Sequence, residues 1–118
     1  MQVVLPWPPK ELSSNYSNGH RVRRIKAHKA KKSYRQNAHW MALAAGVKTS
    51  MPHATLRFTY HPPDLRRRDV ANLAFPMKAA IDGIADAMGC DDSGFRPVFP
   101  PAFAEVVKGG LVVIEVSP

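Results

Sequence analysis

Residues 54–61 carry the most restrictive pattern in the chain. Thr55, Arg57, Thr59 and His61 alternate with Ala54, Leu56, Phe58 and Tyr60, the period of a β-strand that buries one face. A sheet built on such a strand must cover its apolar side with another layer. Two helical patterns are available for that layer. Over residues 24–46, Ile25, Tyr34, Ala38, Met41, Ala42 and Ala45 form an apolar stripe, with Gly46 as the stop and His39 and Trp40 at the core edge. Over residues 69–88 the stripe is Val70, Leu73, Met77, Ile81, Ile84 and Met88. Pro76 interrupts it and implies either a kink or a helix that starts near Phe75. A short strand over residues 2–7 is ended by Pro6, Pro8 and Pro9. Residues 103–107 and 111–116 read as a hairpin about Lys108-Gly109-Gly110. The expected fold class is α+β, order β-α-β-α-β-β, with about four strands packed against two helices in a single domain, residues 1–118.

Composition narrows the function. The 118 residues are 45% hydrophobic, an ordinary globular fraction, and no apolar run approaches the roughly 20 residues of a membrane span. Residues 1–6 lack the charged and apolar regions of a signal peptide. The lone Cys90 excludes an internal disulfide and a cysteine-rich zinc site, pointing to a reducing cytoplasm. Net charge is +8, and its distribution is uneven. Between residues 12 and 63 there is no Asp or Glu, while Arg21, Arg23, Arg24, Lys26, Lys29, Lys31, Lys32 and Arg35 crowd one segment. Nucleic acid is the first partner this suggests, and an anionic membrane surface the second.

The chemistry-bearing stretch runs Pro63-Asp64-Leu65-Arg66-Arg67-Arg68-Asp69-Val70-Ala71-Asn72-Leu73. Three arginines beside a carboxylate are what metal-dependent phosphodiester chemistry needs at one spot. A solvated basic loop with Asp69 as helix N-cap is the plainer reading. A second acidic point, Asp91-Asp92, follows the second helix. Asp69 and Asp91-Asp92 suit a shared hard cation such as Mg²⁺, but a continuous 20-residue helix would hold its ends roughly 30 Å apart. Lys78, Asp82 and Asp86, four residues apart, read as an exposed salt-bridge ladder. His53 and His61 read as strand ends rather than zinc ligands. No Gly-x-Ser-x-Gly elbow, Walker loop or dinucleotide fingerprint is present.

Taken together, Leu5-Pro6-Trp7-Pro8-Pro9, Tyr34-Arg35, the block Arg66 to Leu73, Lys78-Ala79-Ala80-Ile81-Asp82, Asp91-Asp92 and the closing Gly-Gly give a chain that resembles, nearly end to end, the RusA family of Holliday-junction resolvases, common in phages and prophages. The resemblance implies a bacterial cytoplasmic homodimer that binds branched DNA at four-way junctions and nicks two strands symmetrically, using Mg²⁺. It implies Asp69 and Asp92 as metal ligands and Lys78 as the basic catalytic residue that stabilises charge on the phosphate; Asp91 or the Asn72 side-chain oxygen is the candidate further ligand, since Mg²⁺ accepts amide oxygens. Arg66, Arg67, Arg68 and the cations Arg21, Arg23, Arg24, Lys29, Lys31, Lys32 and Arg35 would hold DNA. The chain departs from the family pattern at Ala71, where a second aspartate is usual, and by two extra residues around Phe75-Pro76. The first departure leaves as an alternative a binder of branched DNA with weak or no nuclease activity, and the residues without the resemblance leave a generic basic nucleic-acid-binding domain.

Overall fold

The computed structural model describes residues 1–13, 16–47, 50–66, 68 and 73–118. Among the described residues, five strands form one sheet: β1 (Gln2–Pro6), β2 (Thr55–His61), β3 (Arg96–Pro97), β4 (Ala102–Phe103) and β5 (Leu111–Ser117). The long α-helices among them are α1 (Arg21–Ala44) and α2 (Met77–Met88), and single 3₁₀ turns stand at Lys10–Leu12 and Asp92–Gly94. The α+β class and the two helices agree with the sequence pattern.

The closing hairpin does not form. β5 pairs antiparallel with β1 on one side (Val3↔Ile114) and with β2 on the other (Phe58↔Ile114), so both its edges are taken. The segment before it instead adds to the far edge of β2, as two short parallel strands, with Thr55 opposite Arg96 and Thr59 opposite Ala102. Lys108-Gly109-Gly110 still makes a turn, closed by the Gly110 N–H on the Val107 carbonyl at 2.8 Å, but it leads β5 into the middle of the sheet.

Alternation places Val3, Leu5, Leu56, Phe58, Tyr60, Val112, Ile114 and Val116 on one buried face. They join Tyr34, Ala38 and Ala42 of α1 and Met77, Ala80, Ile84 and Met88 of α2 in one core. The stripe expected on α1 is narrower than its spacing suggested. Ile25 is half exposed, because nothing buried lies on α1 before Tyr34, and Trp40 is 66% exposed rather than at the core edge, on the side of the packed half away from Ala38 and Ala42.

Both helices stop on a glycine in the left-handed region, Gly46 (φ 92°) and Gly89 (φ 69°). Paired bonds accompany each: Val47 N–H to the Ala42 carbonyl, and Cys90 N–H to the Ala85 carbonyl. The second helix is shorter than its apolar pattern. Regular α2 begins at Met77, directly after Pro76, where a proline's missing donor costs nothing. Leu73 and Ala74 are helical, and the earlier part of the expected helix, residues 69–72, lies outside the described residues.

The two helices meet closely at Gly83. A Cβ there would fall on the Arg35 carbonyl and come within 2.7 Å of Ala38 Cβ. No described helix is long and apolar enough to cross a membrane.

Candidate active site and nucleic-acid interface

The loop after β2 is organised by Asp64. Its carboxylate accepts from the Arg66 backbone N–H at 2.9 Å and from the Arg66 and Arg68 guanidinium groups at 3.1 and 2.8 Å. Those hydrogen bonds, Arg66 first, hold the Asp64 carboxyl well below the usual range. The two arginines differ in what they offer a ligand. Arg68 is 17% exposed; it donates to the carbonyls of Asp64 and Arg66 and lies 5.3 Å over the Trp7 ring. Trp7 in turn meets Tyr60 edge to face at 5.9 Å. Arg68 therefore braces the loop against the sheet, while Arg66, 83% exposed, turns to solvent. Arg67, Asp69, Ala71 and Asn72 lie outside the described residues, and with them the expected first metal ligand and the departure at Ala71.

The acidic point after α2 is brought back to the start of that helix. α2 has 12 residues, about 18 Å in length, and the chain reverses after Gly89. Asp91 accepts from the Ser93 N–H at 3.3 Å and caps the 3₁₀ turn, while buried Phe95 anchors the turn in the core. Arg96 N–H then bonds the Ala54 carbonyl at 2.8 Å, tying the segment to the sheet. Asp92 thereby contacts the Lys78 ammonium, which also pairs with Asp82 Oδ1 at 3.0 Å. The hydrogen bond to Asp92, then that to Asp82, raises the Lys78 pKa, and Lys78 in turn lowers that of Asp92. The Lys78 ammonium therefore stays charged and the Asp92 carboxylate ionised throughout the neutral range.

The expected ladder of Lys78, Asp82 and Asp86 is thus divided. Asp86 leaves it for Arg35 of α1, which grips both carboxylate oxygens at 2.7 and 2.8 Å. Arg35 is a strut between the helices, and its guanidinium holds the Asp86 carboxyl below its ordinary pKa.

Among the described residues, no three His, Cys, Asp or Glu side chains group as a metal site. Asp82 and Asp92 nevertheless converge on one ammonium. Both carboxylates are hard oxygen donors of the kind Mg²⁺ takes together with water and phosphate oxygens, and Asp92 is the one that stands among the expected ligands.

Arg21, Arg23, Arg24, Lys29, Lys31 and Lys32 are all exposed along α1. Arg23 lies 5.7 Å over Tyr16, and Lys31 lies 5.6 Å over Phe75. Among the described residues, Lys29, Lys31 and Lys32 have no carboxylate partner. Spacing alone did not single out Asp64 or Phe75 as builders of this surface. Asp64 stands two residues before Arg66, an arrangement in which a side-chain carboxylate commonly takes up the later N–H.

No family model matches the chain. It is 32% identical over 121 residues to "Crossover junction endodeoxyribonuclease RusA" of Escherichia coli strain K12, covering 98% of this chain and 92% of that protein. The same figures hold for the protein of that name from Shigella sonnei strain Ss046. An uncharacterised protein of Xylella fastidiosa is 35% identical over 119 residues, 98% of this chain and 74% of that one.

Proposed function

The chain belongs to the RusA family of crossover junction endodeoxyribonucleases, and we propose that it cuts four-way DNA junctions by paired, symmetric nicks in the presence of Mg²⁺. The observation that carries this reading is Lys78, held between Asp82 and Asp92 at the edge of a cation-lined groove. An ammonium kept charged by two carboxylates is suited to stabilising negative charge that builds on a phosphate.

Asp69 and Asp92, with Asp91 as a further candidate, would hold Mg²⁺. When bound, the ion would supply Lewis-acid polarisation of the phosphate and would make a bound water more acidic than bulk water. Lys78 then faces the developing charge, and Asp92 and Asp82 position it. Arg66 and Arg67, with Lys29, Lys31 and Lys32 of α1, hold neighbouring phosphates. Two symmetric nicks require two copies of the site related by a two-fold axis, which a homodimer provides. Such an enzyme works on DNA in the bacterial cytoplasm, encoded by host or phage.

Ala71 favours a second reading, a branched-DNA binder that cuts poorly, because the family pattern has a metal-binding aspartate at that position. Incubation with a synthetic four-way junction and a linear duplex, with Mg²⁺ and with EDTA, separates the two. Paired nicks confined to the junction, lost in EDTA and reduced about 10²–10³-fold by Lys78→Met, support the enzyme. Tight junction binding without nicks, converted to cutting by Ala71→Asp, supports the binder.

A further inference from the structure

A groove of about 600 Å³ runs between the basic half of α1 and the start of α2, a volume within the range of small-ligand sites. Its walls are of two kinds. Leu12, Ala74, Pro76 and Ala79 supply apolar lining, and Lys31 and Lys32 supply cationic lining. Phe75 lies between them, half exposed, with the Lys31 ammonium over its ring.

This combination is costly without a ligand. Phe75 leaves a large aromatic face in water although the core is within reach of its neighbours Leu73 and Met77, both buried. The other charged groups at the groove are occupied: Arg35 by Asp86, and Lys78 by Asp82 and Asp92. Lys31 and Lys32 have no such partner among the described residues. An aromatic face beside unpaired cations binds bases that are out of the duplex stack, by ring stacking plus phosphate contacts. A paired base inside a duplex arm cannot reach such a face; an unpaired base at a branch point can.

We propose that this groove takes one unpaired nucleobase of branched DNA, stacked on Phe75, with Lys31 and Lys32 on the flanking phosphates. The inference rests on the junction-DNA reading and adds to it a base held next to the phosphate that Lys78 faces.

The test is photo-cross-linking in EDTA, where no cutting is needed. A four-way junction carries 5-iododeoxyuridine at the crossover, and the cross-linked peptide is mapped by mass spectrometry. The expected adduct is on Phe75, absent in Phe75→Leu and absent when the iodinated base sits mid-arm. Phe75→Ala should also weaken binding of a junction with an unpaired base roughly tenfold, with linear-duplex affinity and thermal midpoint unchanged. A cross-link on Trp40 or Tyr16, or equal weakening for junction and duplex, overturns the proposal. A protein that binds and cuts junctions without the Phe75 adduct overturns this inference alone; one that does not bind junctions overturns the functional reading as well.

Discussion

The two halves of α1 are built for different purposes. From Tyr34 onward the helix buries Tyr34, Ala38 and Ala42, bonds the Pro6 carbonyl through the Tyr34 hydroxyl at 2.7 Å, and lies against Gly83 of α2. Before Tyr34 it buries nothing fully and carries the exposed cations from Arg21 to Lys32. The same 24-residue helix is thus half scaffold and half charged rod. A helix this long needs only part of its length packed to stay helical, because propagation is easy once a nucleus is held. The unpacked part is then free to project charge at a ligand.

The scaffold half should be the more fragile. Gly83→Ala puts a methyl on the Arg35 carbonyl and forces the helices apart, costing about 3 kcal/mol, the upper end for overpacking. Chemical denaturation measures this directly, and a loss below about 0.5 kcal/mol would mean that the helices can separate at this seam without strain.

The charged half should show the reverse behaviour. Replacing Arg21, Arg24 and Lys29 together with alanine should leave stability within about 0.5 kcal/mol. The same change should flatten the slope of log K against log salt for DNA binding by up to about 2.7, at roughly 0.9 for each phosphate no longer neutralised. An unchanged slope would show that DNA lies elsewhere.

The smallest effect concerns the Arg35–Asp86 strut where the halves meet. Asp86 has a lowered native pKa, so its contribution is present above its ordinary value near pH 4 and is lost as pH falls through the lowered one. Both side chains are more than a third exposed, so the contribution is under about 1 kcal/mol. Asp86→Asn should therefore be slightly less stable than the parent at pH 6, and the gap should narrow as pH falls below about 4. A gap that does not narrow with falling pH would mean that the strut acts through shape rather than charge.

Much of the scaffold was legible from residue patterns. The alternation at residues 54–61 identified β2 and its buried face, and Gly46 marked the end of α1. Pro76 marked a break, either a kink or a start near Phe75, and regular α2 begins at Met77 directly after it, since a ring without an N–H is tolerated only in a helix's first turn. The apparent hairpin misled because two adjacent apolar runs around a Gly-Gly turn do not say which partners have claimed the edges of the second. The salt-bridge ladder misled for a similar reason: spacing of four shows which groups share a helix face, not which opposing helix brings an arginine.

By itself the sequence determined the α+β class, the basic stretch free of acids, and the residue types that metal-dependent phosphate chemistry uses. These are local properties, set by period, turn chemistry and composition. Only the tertiary structure decided that Asp92 returns to Lys78, that Arg35 serves the fold, and that Arg68 braces on Trp7 while Arg66 stays exposed. Each of those outcomes pairs groups distant in the chain, and which partner a charged side chain finds depends on how helices and sheet pack, not on its neighbours in sequence.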